Sequence, residues 1–124
     1  MLKHEDLSHQ VIGAAIEVHK ELGPGLLESA YQVCLGHELL CRGIPFRKKV
    51  PLPVLYKERR LDAGYEMDFV VQNTIVIEIK SVLKMHPVFE AQLLTYMKLS
   101  KMPVGLLINF NVPILKDGLV RRVL

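Results

Sequence analysis

The sequence predicts a mixed α/β sandwich, with a central sheet of at least four strands and two N-terminal helices on one side of it. Three observations predict it. The first 42 positions hold two stretches of apolar residues at three-four spacing, separated by Gly23-Pro24-Gly25. Positions 61–80 hold two β-branched apolar runs around a short polar break, which is a hairpin signal. Positions 75–110 then read strand, helix, strand, so strands 75–80 and 104–110 should be parallel with a right-handed crossover.

The first helix is expected over 6–22, capped by Asp6 or Ser8. Its buried stripe would be Ile12, Ala15, Ile16, His19 and Leu22, and Gly13 suggests close packing against a neighbour. Gly23-Pro24-Gly25 stops it and turns the chain. A second helix over about 26–42 has Leu27, Ala30, Tyr31, Cys34, Leu35 and Leu39 as its stripe, with Gly43 as a stop. Glu28 lies in its first turn, where a carboxylate complements the helix dipole. Tyr31, one turn on, reads most simply as a core residue.

Positions 45–60 are strand-like but interrupted. Pro51 and Pro53 forbid a central strand and point to an edge. Lys57-Glu58-Arg59-Arg60 is a charged turn, either a solvated hairpin tip or a phosphate contact. Positions 61–71 return as one strand and 75–80 form the next. Pro87 suits the first position of a third helix over 87–100, on which Gln92 and Tyr96 share a face. A near-continuous apolar strand follows at 104–110, then a turn at Lys116-Asp117-Gly118 and a short edge strand at 119–124.

The bulk numbers bound the function. A chain of 124 residues is long enough for one domain, 1–124, with its own core. Half the residues are hydrophobic and 23% are charged, which excludes a disordered chain. A formal charge of +3 permits a nucleic-acid partner without arguing for one. No apolar run approaches the length of a membrane span, so no membrane partner is expected. The start, Met1-Leu2-Lys3-His4-Glu5-Asp6, lacks the apolar core of a secretion signal, and a cytoplasmic location is expected. Cys34 and Cys41 fall in one helix with Cα atoms roughly 10 Å apart, too far for a disulfide. Without a Cys-x-x-Cys pair a zinc ribbon is excluded, and both read as small core residues. The five histidines show no paired metal spacing.

The chemistry concentrates between Asp68 and Lys80. Glu78 and Lys80 sit two apart in an apolar strand, so they share a face. A charge there is costly unless it is paired or holds a metal. Asp68 on the partner strand adds a second carboxylate. In an antiparallel hairpin, opposed residues have a constant sum of numbers. A three-residue loop at Gln72-Asn73-Thr74 sets Asp68 opposite Glu78, whereas a two-residue loop at Asn73-Thr74 turns the carboxylates to opposite faces. Convergence therefore requires the odd-length loop or a bulge. Oxygen ligands beside a Lys suit Mg²⁺ or Mn²⁺ rather than zinc. The position before a βα connection also favours a ligand site.

These residues carry a resemblance. Gly25-Leu26-Leu27-Glu28-Ser29-Ala30-Tyr31, Asp68, Glu78-Ile79-Lys80 and Gln92-Leu93-Leu94-Thr95-Tyr96 stand in order, and Leu107-Ile108-Asn109-Phe110 is similar to a late strand of the same group. Together they resemble the GxxExxY family of the PD-(D/E)XK nuclease superfamily, over nearly the whole chain. Met67 replaces the usual Pro before the Asp. The resemblance implies a restriction-endonuclease-like three-layer sandwich. It implies that Asp68, Glu78 and the Ile79 carbonyl hold Mg²⁺ or Mn²⁺, with Glu28 joining directly or through water. Lys80 would position the attacking water and stabilise charge on phosphate. Gln92 and Tyr96 would orient the site or the nucleic-acid backbone. The implied activity is metal-dependent hydrolysis of nucleic acid, DNA before RNA. A nuclease of this size has little surface to grip a duplex, so a homodimer would help. The alternative is a catalytically idle nuclease-fold module that binds nucleic acid or a protein partner.

Overall fold

The computed structural model describes residues 4–124; Met1–Lys3, part of the start read above for a secretion signal, lie outside the described residues. Three helices and seven strands follow in the order α1 (Glu5–Leu22), α2 (Glu28–Cys41), β1 (Phe46–Pro51), β2 (Val54–Tyr56), β3 (Arg59–Leu61), β4 (Glu66–Val71), β5 (Ile75–Lys80), α3 (Pro87–Ser100), β6 (Val104–Asn109) and β7 (Leu119–Val123). A 3-10 turn, Leu115–Gly118, precedes β7. The main sheet has five strands in the order β1-β4-β5-β6-β7, and β2-β3 form a separate hairpin. Strands β5 and β6 are parallel, Ile75 beside Val104 and Lys80 beside Asn109, and the other pairs are antiparallel. This is the mixed sandwich that the sequence predicts, with α1 and α2 on one face and α3 on the other.

Strand alternation explains the layers. Phe69, Val71, Ile75, Ile77 and Ile79 turn to α1 and α2, together with Leu106 and Ile108 of β6. Val70, Val76 and Leu107 turn to Leu93, Tyr96 and Met97 of α3. Both faces of β5 and β6 are therefore buried, which is why those strands read as continuous apolar runs. Gly105 lets α3 approach. A Cβ there would lie 2.9 Å from a Leu93 side-chain atom, and nearer still to the Met97 sulfur. On the other face, Tyr31 stacks on Phe110 with ring centroids 4.5 Å apart. Its hydroxyl donates to the Gly23 carbonyl (2.6 Å) and accepts from the Leu26 N–H (3.2 Å). The turn before α2, with Gly23 and Gly25 both at positive φ, is thereby pinned to the core.

Several local expectations are corrected. The N-cap of α1 is His4 without a side-chain cap bond, not Asp6 or Ser8. Ser8 is instead buried inside the helix, where the Arg121 Nε of β7 donates to its hydroxyl at 3.0 Å. The buried stripe of α1 is rotated to Val11, Ala14, Ala15, Val18 and His19, leaving Ile16 exposed. Alanine and valine permit the closer contact with α2, so size overrode hydropathy. Leu27 is 76% exposed because α2 begins two residues later than expected, at Glu28, and leaves Leu27 as its N-cap. Cys34 is half-buried and Cys41 exposed, so neither is a full core residue, and both are free thiols. The strand expected over 61–71 is two strands. Arg59–Leu61 pairs with β2, and a loop separates it from Glu66–Val71. The edge position of β1 and the helix start at Pro87 are as expected; the His86 ring accepts from the Val88 N–H at 3.0 Å and caps that helix.

Candidate functional site

The hairpin between β4 and β5 sets the site. Gln72 and Asn73 both take positive φ, and the Thr74 N–H donates to the Val71 carbonyl at 2.9 Å. Pairing then runs Val71 with Ile75, Val70 with Val76 and Phe69 with Ile77. Every pair sums to the same number, and this is the odd-length register that brings Asp68 and Glu78 to one face. The ladder ends at Phe69 and Ile77. Beyond it the strands fork, and two carboxylates take the place of main-chain acceptors. Glu78 Oε2 accepts from the Asp68 N–H at 2.9 Å, and Asp68 Oδ2 accepts from the Ile79 N–H at 2.8 Å. Each strand thus holds the carboxylate of the other. Among the described residues no donor meets the second oxygen of either carboxylate. The N–H and C=O of one strand residue leave on the same side, so the Ile79 carbonyl faces the same fork.

The electrostatics follow from burial. Glu78 is 5% exposed. Burial, and then the Asp68 charge, push its carboxyl up to about 8, against the opposing pull of the Asp68 N–H and Lys80. Asp68 is also raised, chiefly by burial, although the Ile79 N–H, Lys80 and Lys49 pull the other way. Glu28, in the first turn of α2, is raised by burial and by Asp68 and lowered by Lys80. Lys80 is therefore the cation shared by three carboxyls that come from two different layers. Its ammonium lies 4.7 Å from the centroid of the Phe89 ring. Tyr96 on α3 is raised by burial and by the charges of Glu78 and Asp68. Its hydroxyl accepts from Gln92 Nε2 at 3.0 Å. Glu28, Asp68, Glu78, Lys80, Gln92 and Tyr96 are thus linked in one constellation, although Glu28 and Tyr96 are 68 positions apart. A groove of about 630 Å³ opens from it, with Lys80, Gln92 and Tyr96 in its wall.

The frame around the site contains residues that sequence reasoning missed. Asn109, 2% exposed, stands beside Lys80 in the parallel register. Its amide donates to the Val82 carbonyl at 3.0 Å and its oxygen accepts from the Val82 N–H at 3.1 Å. The Ser81 hydroxyl donates to the Leu26 carbonyl at 2.6 Å. The chain after Lys80 is so clipped to β6 on one side and to the turn before Glu28 on the other. A buried Asn ending an apolar strand was the available signal, since such a group must find partners. Lys49 reaches Asp68 from β1 through a positive φ of 50°, a conformation nothing in the Arg47-Lys48-Lys49 run announces. Tyr65 packs edge-on against Tyr96 with centroids 6.0 Å apart.

The donor set is chemically suited to a hard divalent cation. It offers two carboxylate oxygens and a main-chain carbonyl at one fork, all oxygen. Two adjacent buried carboxyls that resist ionisation together are the arrangement a dication would relieve. Among the described residues no three His, Cys, Asp or Glu side chains gather closely enough to hold an ion by themselves. Glu28 therefore does not complete a three-carboxylate cluster with Asp68 and Glu78. Among the described residues no helix is long and apolar enough to cross a membrane.

Compared with known proteins, residues 5–123 match one family model, that of the PD-(D/E)XK nuclease superfamily. No curated protein and no solved structure matches the chain.

Proposed function

We propose that this chain, which belongs to the PD-(D/E)XK nuclease superfamily, is a Mg²⁺- or Mn²⁺-dependent nuclease that hydrolyses phosphodiester bonds, with DNA as its substrate. The observation that carries the reading is the fork, where the sheet gives up ladder bonds to present Asp68 and Glu78 side by side next to Lys80. Asp68, Glu78 and the Ile79 carbonyl would hold the cation, and Glu28 would join them through a water rather than directly. The cation, when bound, would neutralise phosphate charge and lower the pKa of a bound water. Lys80 would orient the attacking water and stabilise charge that develops on the phosphate oxygens. Tyr96 keeps its proton, and with its oxygen already accepting from Gln92 it has that proton to offer a phosphate oxygen. The narrower assignment to the GxxExxY group rests on the Gly25-to-Tyr31 stretch, whose Glu28 faces Lys80 while Tyr31 serves the core. A homodimer and a cytoplasmic setting complete the reading.

The test is a panel of single-stranded, duplex and branched DNA and RNA, each with Mg²⁺, Mn²⁺ or Ca²⁺. Cleavage is expected with Mg²⁺ or Mn²⁺ and not with Ca²⁺. Asp68→Ala and Glu78→Ala should abolish it with the circular-dichroism spectrum unchanged. Lys80→Ala should keep metal binding and lose most of the rate. No cleavage of any substrate, or cleavage undiminished in Glu78→Ala, would falsify the nuclease reading and leave the idle nuclease-fold module in its place.

A further inference from the structure

The groove beside the carboxylate pair has a composition that the phosphodiester chemistry does not use. One wall is a single face of α3, including Phe89, Thr95, Tyr96 and Leu99; the other is built by Val54 of β2 and by Tyr65. The lining is predominantly apolar and aromatic, yet it is open to solvent. Tyr65 is 47% exposed and held edge-on to Tyr96. The α3 residues of the lining run from Val88 to Leu99, eleven positions apart and about 16 Å along the helix. A slot of that length suits a few nucleotide units of one strand.

Its two ends are cationic. Lys80 lies at the end that meets Asp68 and Glu78. At the other end Leu99 also borders a second cavity, which Arg60, Lys98 and Lys101 line. The order along the groove is thus cation, apolar aromatic slot, cation cluster. A nucleic-acid strand has the complementary order of phosphate, base, phosphate. In a duplex the base faces are already stacked on their neighbours, so only an unpaired or extruded base has a face to offer an aromatic wall.

We propose that the groove between α3 and Tyr65 is a slot for an unpaired base, and that the ligand of this site is single-stranded nucleic acid. The proposal rests on the phosphodiester reading for the identity of the neighbouring centre. It deepens that reading by naming a single strand, rather than a duplex, as the species held. Tyr65, the exposed ring, takes the base and is held in place by the buried Tyr96 behind it, while Arg60, Lys98 and Lys101 take phosphates on the side away from the carboxylates.

The experiment measures binding by fluorescence anisotropy in EDTA, where no turnover occurs. The probes are labelled dT12, rU12, a 12-unit abasic strand of the same charge, and a 12-base-pair duplex. Either dT12 or rU12 should bind about 10-fold tighter than the abasic strand, the worth of one good base–aromatic stack. The duplex should compete more weakly than the favoured single strand. Tyr65→Ala should remove the preference over the abasic strand and Tyr65→Phe should keep it. Tyr65 is exposed on a loop, so the fold should tolerate both. Thr95→Trp, which fills the slot from the exposed face of α3, should remove the preference without touching Tyr65. Equal binding of the abasic and base-bearing strands, duplex binding as tight as single-strand binding, or a preference untouched by Tyr65→Ala and Thr95→Trp would overturn the proposal. Because nothing is cleaved in this assay, base-dependent binding by a protein that hydrolyses no substrate would keep the slot and lose the nuclease. Hydrolysis with no base dependence would do the reverse.

Discussion

Glu78 holds its proton where an ordinary glutamate has lost it, and two predictions follow from that. Burial and Asp68 raise its carboxyl from 4.5 to about 8. The fold therefore favours the protonated form. The cost of ionising Glu78 is absent below about pH 4.5, grows between there and 8, and is complete above 8. Glu78→Gln should leave Tm unchanged near pH 4 in the metal-free protein and raise it at pH 9, where the added stability is on the order of 3–5 kcal/mol. A stabilisation that failed to grow with pH would contradict the account. The same proton must leave before an ion can bind. Affinity for Mg²⁺, read by calorimetry, should then rise with pH and level off above about 8, and proton release should accompany binding below that. The residues themselves were legible in the sequence, because carboxylates and a Lys in apolar strands have few other uses. Their partners were not. That each carboxylate would accept from the main chain of the opposite strand depends on a register which the residues left open. Lys49 enters only through a backbone conformation that Lys seldom adopts.

Elements carry the site between layers, and they were read with uneven success. The buried strands β5 and β6 were evident because both faces are apolar, and α3 because Pro87 marks its start. The α1 stripe was misread, since small residues and a buried Ser8 make up the true contact while Ile16 faces solvent. The break between β3 and β4 was missed although Asp62 and Gly64 mark it: the Gly64 N–H donates to Asp62 Oδ1 at 2.9 Å and Gly64 takes a positive φ. Two substitutions test the elements as scaffolds. Gly105→Ala should cost roughly 1–3 kcal/mol, since the added methyl meets the Leu93 and Met97 side chains, which must repack against α3. As Gln92 and Tyr96 ride on that helix, kcat should fall with metal affinity little changed. Tyr31→Phe removes a buried hydroxyl that satisfies both Gly23 and Leu26, and should cost about 1–3 kcal/mol by urea unfolding.

At the scale of the whole molecule, the site is a meeting of three layers. Glu28 comes from α2 on one face, Tyr96 from α3 on the other, and Asp68, Glu78 and Lys80 from the sheet between them. A ligand bridging them should stabilise the folded state as a unit. Saturating Mg²⁺ should raise Tm, with about 2.7 kcal/mol of added stability at a hundred times Kd, and should do nothing for Glu78→Gln. The opposite edge of the molecule is closed by its two most distant parts. The Arg121 guanidinium on β7 reaches Ser8 on α1 across 113 positions, and the His19 ring donates from Nε2 to the Val112 carbonyl across 93. The Arg122 guanidinium meanwhile pairs with Glu90 on α3. During synthesis α1 therefore emerges long before the strand that anchors it. At about 5–20 residues per second the wait is roughly 5–20 s, during which Ser8 lacks its Arg121 donor while the apolar side of α1 can already pack on α2. Ribosome-bound chains stalled before Leu119 should therefore be cut by protease near Ser8 more readily than released chains, in which Arg121 holds that turn of α1.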